Sequence, residues 1–167
     1  KDAALMFELQ NNRGKDLTNM EKLKSYFMYQ MYVYSNDGET DVNIENISDI
    51  FKDIYKLIND ISLDEDSILI YHNQAYIKGY PYRTLEDLKD EFKKATQKID
   101  WIKEYIRELH TTFSNIKKFE QLRSIYKDYM TNLGFLAFIY PFIIKGFKFF
   151  GDNNNKLNEL FKVLEIR

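Results

Sequence analysis

The chain has 167 residues, which is enough for one ordinary domain, and its 44% hydrophobic and 16% aromatic content suffices to build and bury a core. A formal charge of −2 gives no global electrostatic reason to bind nucleic acid, so any contact with phosphate has to be local. The absence of cysteine excludes disulfides, thiolate nucleophiles and zinc–sulfur sites and fits a reducing compartment, so we expect a cytoplasmic protein.

Both ends of the chain have the pattern of cuts in a longer protein. The sequence starts at Lys1 inside a periodic apolar pattern. It stops at Arg167 while KLNELFKVLEIR is still apolar on one face, with no Gly, Asn or Pro stop signal after it. We therefore expect residues 1–167 to form a single helical domain that is a fragment of a larger polypeptide.

The first predicted elements are two helices joined by a turn. An incomplete helix runs to about Asn11, the turn NNRGKD follows, and Thr18 with Glu21 forms a capping box that starts the second helix. The second helix is expected to end near the polar loop SNDGETDVN. Its apolar positions recur at three- and four-residue spacing and predict one buried stripe: Met20, Leu23, Phe27, Met31 and Tyr34.

A third helix with an isoleucine-rich face comes next, and a short fourth helix follows it. Ser62 and Glu65 repeat the capping-box signature and predict the start of the fourth helix, which runs to about Tyr76. The segment GYPYR, Gly79 to Arg83, is predicted to break the chain. The face of the third helix is formed by Ile47, Ile50, Phe51, Ile54, Ile58 and Ile61.

The most regular pattern is a heptad seam that begins after Thr84, a predicted N-cap. The seam alternates steps of three and four through Leu85, Leu88, Phe92, Ala95, Ile99, Ile102, Ile106, Leu109, Phe113 and Ile116. One rod or two helices joined near ATQKID would both fit, and the lack of internal Pro or Gly favours one long helix from about Leu85 to Phe119. Flanking Trp101, Tyr105 and Phe119 widen the apolar face, which favours packing inside a domain over a dimeric coiled coil.

The last predicted helices run from Glu120 to Asn132, from Leu136 to Phe150, and beyond the GDNNN loop. The apolar run GFLAFIYPFIIKGFKFF contains Pro141, Lys145 and Lys148 and is shorter than a membrane span of roughly 20 apolar residues, so a buried helix and no membrane contact are expected. No alternating strand pattern is visible. The sequence therefore predicts an all-α, multi-helix bundle of about seven helices.

Most chemical candidates have a structural interpretation. His72 and His110 stand on separate helices without metal-ligand spacing, and we predict no metal site. The acidic group Asp64 to Asp66 fits the first turn of a helix, where negative charge is favourable. The loop NDGETD lacks the ligand spacing of a calcium loop, and YIKGYPYR, Tyr76 to Arg83, fits a packed aromatic turn better than a nucleic-acid contact.

The stretch FELQNNRGKDLTNMEKLK, Phe7 to Lys24, is the strongest candidate for a functional site. Asn11 and Gly14 can shape the turn and Thr18 starts the next helix, so these residues are explained by structure. The turn does not account for the crowding of Arg13, Lys15, Lys22 and Lys24 in one connection, because its geometry needs no basic side chain. Arg13 and Lys24 could bind a carboxylate or a phosphate.

This stretch resembles the F-x-x-x-N-x-R-G-x-x-L-[ST]-x-x-[DE]-x-x-K segment of GmrSD-type restriction endonucleases and related defence proteins. The matching positions are Phe7, Asn11, Arg13, Gly14, Leu17, Thr18, Glu21 and Lys24. The sequence departs from the usual pattern at Gln10, where leucine is common, and at Lys22, where an apolar residue is usual.

The resemblance implies a parent protein that cleaves or senses foreign DNA, including modified DNA, with a nucleoside triphosphate and a divalent metal. In such proteins the segment follows a ParB-like nucleotide-binding domain with a DGQQR-type motif, and a His-Me finger nuclease domain comes later; neither motif is present in this sequence. The chain would be the helical middle region, non-catalytic by itself. Its partners would be those two domains, and Asn11, Arg13, Gly14, Lys15 and Lys24 would contact a neighbouring domain or a phosphate.

Two other functions fit the sequence. The first is a helical protein–protein interaction module whose long seam helix binds a partner helix. The second is direct binding of DNA by this chain, which would weaken steeply with salt. Catalysis by the chain itself has the least support, because no nucleophile and base can be named.

Overall fold

The computed structural model describes residues 17–36, 38–77, 85–133 and 136–165, and these residues form helices and no strand. The helices are α1 (Asn19–Tyr34), α2 (Thr40–Ile58), α3 (Glu65–Tyr76), α4 (Leu85–Lys94), α5 (Lys98–Gln121), α6 (Ile125–Leu133), α7 (Leu136–Phe150) and α8 (Asn154–Glu165). The all-α bundle predicted from the sequence is confirmed. The expected number of about seven helices is too low, since the described residues alone contain eight.

The central helix of the bundle is α5, which packs against α1, α2, α3, α4 and α7. Phe27 of α1 meets Tyr105 of α5 edge to face at 5.4 Å, and at the other end Phe119 meets Phe161 of α8 at 5.6 Å. Burial of one such side chain contributes about 1.5–3 kcal/mol to the stability of the fold, and α5 buries several of them. Its buried apolar residues are Ile102, Tyr105, Ile106, Leu109, Phe113, Ile116 and Phe119.

Helices α1 and α2 follow the predicted stripes, with three differences. Tyr34 is 47% exposed rather than buried, and its ring meets Phe92 edge to face at 6.1 Å. Helix α2 begins at Thr40, inside the segment SNDGETDVN that was predicted to be a loop. The negative charge of Asp41 in its first turn is favourable at the positive end of the helix dipole and so stabilises this start. The prediction that Ile61 belongs to the helix is wrong, because α2 ends at Ile58 and the Ile61 amide donates to the Ile58 carbonyl in the turn that follows. The stripes are buried at Met20, Leu23, Phe27, Met31, Ile47, Phe51 and Ile54, while Ile50, Ile58 and Ile61 are partly buried.

The predicted capping box at Ser62 is wrong. Helix α3 begins at Glu65, and its N-cap is Asp64, whose carboxylate accepts a hydrogen bond from the Ser67 amide at 2.9 Å. Ser62 instead donates its amide and hydroxyl to the carboxylate of Glu120, at 2.9 and 2.8 Å to Oε2. Ser62 is thus bound by a carboxylate 58 residues away and takes no part in capping α3.

The predicted long helix from Leu85 to Phe119 is interrupted at residues 95–97 and forms α4 and α5. The ammonium group of Lys98 donates to the carbonyl oxygens of Phe92 and Lys93, at 2.8 and 2.6 Å, and so satisfies the end of α4. The break lets α4 turn so that Phe92 packs edge to face on Tyr26 of α1 at 5.8 Å. Seam residues on both sides of the break remain buried, including Leu88, Phe92, Ile102 and Ile106.

The end of α5 has the same construction. The sequence predicts a helix from Glu120 to Asn132, but α5 continues to Gln121 and α6 begins at Ile125. Lys127 donates to the carbonyl oxygens of Glu120 and Leu122, at 2.6 and 2.9 Å. Each of α4 and α5 is therefore closed by a lysine of the helix that follows it, without a Gly or Pro stop signal.

The apolar run near the C-terminal side forms α7, which has two different faces. Tyr140, Ile143, Ile144 and Phe147 are buried, as predicted for a core helix. Phe138, Phe142 and Phe149 are 76%, 58% and 77% exposed, so the prediction of a buried helix holds for one face alone. Within the described ranges, no helix combines the length and the apolarity that a membrane span requires.

Candidate functional site

Only one of the five candidate site residues falls within the described part of the chain. Lys24 lies in α1, on the second turn after the helix start. The predicted first helix up to Asn11, the turn with Arg13, Gly14 and Lys15, and the Gly79 to Arg83 break lie outside the described residues, as does the predicted N-cap at Thr84. The geometry of the site is therefore that of Lys24 and of the start of α1.

The start of α1 is the capping box that the sequence predicts. The Glu21 amide donates to the Thr18 hydroxyl at 3.2 Å, and the Thr18 amide donates to the Glu21 carboxylate at 2.9 Å. Asn19, the first helical residue, adds a contact to α3: its amide and its side-chain Nδ2 donate to the carboxylate of Asp66, at 3.0 and 3.1 Å. The start of α1 is thus fixed both by its own capping box and by a second helix.

Lys24 is half-buried beside the aromatic ring of Tyr55. Its ammonium nitrogen lies 5.9 Å from the ring centroid, within the range of a cation–π contact. No acidic side chain of the described residues forms an ion pair with Lys24. Since a lysine carries three donors and an aromatic face uses only its charge, this ammonium group retains the capacity to bind a carboxylate or a phosphate.

Tyr55 supports the position of Lys24 as a neutral ring. Burial raises its pKa well above the ordinary value of 10.0, and the carboxylates of Glu65 and Glu21 raise it further. Its buried hydroxyl makes no hydrogen bond within the described ranges. Tyr55 therefore stays protonated at physiological pH and offers Lys24 an apolar, unionised surface.

The other sequence candidates have structural roles where they are described. Asp64 and Asp66 cap α3 and bind the start of α1, which confirms the interpretation of the acidic group as a helix start. In the described part of the chain, no group of three or more His, Cys, Asp or Glu side chains converges as a metal site would.

His72 belongs to a buried polar cluster that the sequence did not predict. Its Nδ1 lies 2.8 Å from the hydroxyl of Thr112, and its ring stacks on Tyr76 at 4.6 Å. Next to it the Tyr105 hydroxyl donates to Oδ1 of Asn73 at 2.5 Å. Burial lowers the pKa of His72 to about 3, and the charges of Lys145 and Lys148 act in the same direction.

The rim of this cluster carries opposite charges between α5 and α7. Lys148 donates to Glu108 at 2.7 Å, and the Lys145 ammonium lies 3.7 Å from the centroid of the Tyr76 ring. Burial alone would raise the pKa of Glu108, but hydrogen bonds from Lys148 and Tyr76 outweigh it and lower the pKa. Because the cluster is neutral inside and paired at its rim, it stabilises the junction of three helices and offers no exposed base.

Sequence reasoning had a weak signal for this cluster. His72 and Tyr76 are four residues apart on α3, while Tyr105, Glu108 and Thr112 follow three- and four-residue steps on α5. Such spacing shows that the polar groups of each helix share one face. It does not show that those faces meet, since this depends on how α3 and α5 pack.

Comparison with known proteins gives no relative. No protein-family model, no curated protein and no solved structure matches the chain. The family resemblance stated from the residues Phe7 to Lys24 therefore stays a prediction.

Proposed function

We propose that this chain is the helical scaffold segment of a modification-dependent restriction endonuclease or a related phage-defence protein of the cytoplasm. It would be non-catalytic by itself and would link a ParB-like nucleotide-binding domain to a nuclease domain. The parent protein would use a nucleoside triphosphate and a divalent metal to cleave DNA. Neither cofactor is assigned to residues of this segment.

The observation that carries the proposal is the anchoring of the α1 start next to Lys24. Hydrogen bonds from Asn19 to Asp66 join α1 to α3 within the described part of the family-like stretch. Lys24 lies little more than one helical turn further on, without an acidic partner in the described ranges. A fixed entry point with an available cation is what a scaffold needs to hold an adjoining domain in one orientation.

The test uses the parent protein with three single substitutions: Arg13→Ala, Lys24→Ala and, as a matched control, Lys22→Ala. Lys22 is an exposed lysine of the same helix, and it stands where the family pattern has an apolar residue. We expect nucleotide-stimulated DNA cleavage to fall by at least about tenfold in Arg13→Ala and Lys24→Ala, because each loses one charge-assisted hydrogen bond. Cleavage should persist in the control Lys22→Ala.

Circular dichroism of the same variants separates docking from folding. All three should keep the helical spectrum of the parent protein, because Lys24 contributes no ion pair within the described residues. Full cleavage activity in Arg13→Ala and Lys24→Ala, or an equal loss in Lys22→Ala, would remove the proposed role of this segment.

One observation favours the alternative function, a helical protein–protein interaction module of unknown partner. The exposed rings of Phe138, Phe142 and Phe149 stand four and seven residues apart and form one stripe along α7. Most residues of the predicted seam, from Leu88 and Phe92 of α4 to Ile116 of α5, are buried in the bundle and are not accessible to a partner helix.

Size-exclusion chromatography with light scattering distinguishes the two functions. An isolated chain that self-associates through the α7 stripe, and becomes monomeric when Phe138 and Phe142 are changed to Ser, supports the interaction module. A monomer at all concentrations supports the scaffold, whose exposed face would be covered by another domain of the same polypeptide.

A further inference from the structure

An open pocket of about 340 Å³ lies between α1 and α4, away from Lys24 and from the His72 cluster. Its walls are three aromatic rings, those of Tyr26, Tyr34 and Phe92, and its rim carries three lysines, Lys89, Lys93 and Lys98. The volume lies in the range of small-molecule sites. The described residues that line the pocket include no carboxylate, although Glu86 and Asp90 pair with Lys89 and Lys93 beside it.

The aromatic walls are arranged to receive a flat ring. Phe92 is buried and holds the two tyrosines, with Tyr26 at 5.8 Å and Tyr34 at 6.1 Å, both edge to face. The Tyr34 residue is 47% exposed, so part of its ring is accessible to a ligand. A base or a similar aromatic group could stack there without displacing a core residue.

The lysines place positive charge at the mouth of the pocket. Two of the three protons of the Lys98 ammonium are used at the carbonyl oxygens that end α4, so one donor remains in a fixed position. Lys93 pairs with Asp90 in an ion pair whose two side chains are more than 60% exposed. Such pairs contribute little, so a phosphate can compete for the ammonium group.

Tyr26 adds a neutral hydroxyl donor beside these charges. Burial raises its pKa, and the neighbouring Tyr34, Glu86 and Asp90 raise it further. The hydroxyl therefore keeps its proton at neutral pH. The pocket combines ring faces, ammonium groups and a phenol, which together fit an anion attached to a flat aromatic group.

We propose that this pocket binds a nucleoside phosphate, with the base stacked on Tyr34 and the phosphate held by Lys93 and Lys98. The same chemistry is offered by a free mononucleotide and by one unpaired nucleotide of a nucleic-acid strand. The proposal does not depend on the scaffold function, because none of these residues belongs to the Phe7 to Lys24 stretch.

Trp101, the one tryptophan of the sequence, reports on the pocket. Its ring lies 5.6 Å from Phe92, so a stacked base should change its fluorescence. The 167-residue chain is titrated separately with adenosine monophosphate, an unstructured oligothymidine, adenosine and inorganic phosphate. A saturable change is expected with the mononucleotide and the oligonucleotide, and much weaker changes with the base or the phosphate alone.

Two matched pairs of variants locate the binding. Lys93→Glu and Lys94→Glu make the same charge change at adjacent positions of α4, but only Lys93 lines the pocket. Tyr34→Ala and Tyr32→Ala remove comparably exposed rings of α1, of which only Tyr34 lines it. Each pocket variant should weaken binding by at least about tenfold, the effect of one charge-assisted contact or one stacked base, and each control by less than about twofold.

The outcomes decide both the site and the source of its ligand. Tighter binding of the oligonucleotide with the same dependence on Lys93 and Tyr34 indicates a strand, and tighter binding of adenosine monophosphate indicates a free nucleotide. No saturable change with either ligand, or equal losses in Lys93→Glu and Lys94→Glu, would overturn the proposal.

Discussion

The imidazole Nδ1 of His72 on α3 lies 2.8 Å from the hydroxyl oxygen of Thr112 on α5, and both side chains are buried. The two residues are 40 positions apart in the chain. Their contact forms the polar centre of the junction where α3 and α5 meet. Because a buried imidazole must stay neutral, this pair makes the stability of the fold sensitive to acid.

Acidification should destabilise the protein before its carboxylates are protonated. The pKa of His72 falls from 6.5 to about 3 on folding, so below pH 6.5 the unfolded chain binds a proton that the folded chain does not. The free energy of unfolding should drop by about 2 kcal/mol between about pH 7 and about pH 5. Urea unfolding at the two pH values measures this drop.

The variant His72→Gln should lose this pH dependence while keeping a side chain that can bond to Thr112. It will be less stable than the parent at pH 7, by about 1–3 kcal/mol, because its amide fits the imidazole site imperfectly. His110→Gln, at a partly exposed position of α5, should keep the full dependence. If both variants retained it, the buried imidazole would not be its source.

Removal of the Asp66 carboxylate should release the start of α1. Asp66→Ala deletes the acceptor of the Asn19 amide and of its side chain, and we expect a loss of about 1–3 kcal/mol in the free energy of unfolding. Hydrogen exchange at the Asn19 amide should accelerate more than exchange within α5. Asp49→Ala, at an exposed position of α2, provides the control, and equal acceleration in both variants would contradict the assignment.

Glu120 should stabilise the connection between α2 and α3. Its carboxylate accepts from the amides of Ser62 and Leu63 and from the Ser62 hydroxyl. Glu120→Ala is expected to cost about 1–2 kcal/mol and to expose the Ser62 and Leu63 amides to exchange. The exposed Glu159 of α8 supplies a matched Glu→Ala control, and unchanged protection at residues 62 and 63 would show that the loop is held by other contacts.

Gly151 should be required at the end of α7. It has a positive φ of 57° and its amide donates to the Phe147 carbonyl at 2.9 Å, which closes the helix. Gly151→Ala adds a Cβ that disfavours this conformation and should cost about 1 kcal/mol, seen as a lower melting temperature. Asn155→Ala on the exposed side of α8 should shift the melting temperature far less. Equal shifts would mean that the turn tolerates a side chain.

The helix boundaries show where sequence reasoning works and where it fails. Thr18 and Glu21 are three residues apart, so their capping box is readable from the sequence, and the structure confirms it. The end of α4 was missed, and the end of α5 was predicted at Phe119, two residues early, because no Gly or Pro marks either end. Lys98 and Lys127 close these ends from the following helix. Lysines are equally common in the middle of exposed helices, so their presence in the sequence does not mark a helix end.

The candidate site was also predicted only in part. A resemblance over eighteen positions pointed to Lys24, whose partly buried position beside Tyr55 depends on α1 packing against α2. The pocket with Tyr34, Phe92 and Lys98 was not predicted. Its residues belong to three helices, and the break after α4 that brings them together was not the favoured interpretation.

The sequence by itself determined the all-α class and most of the buried stripes, because apolar residues at three- and four-residue spacing occupy one face of a helix in any arrangement. Tertiary structure decided which polar groups meet: His72 with Thr112, Asn19 with Asp66, and Ser62 with Glu120. These contacts join positions 40 to 58 residues apart. Their partners are set by the packing of one helix on another, and the periodicity of a single helix carries no information about its neighbour.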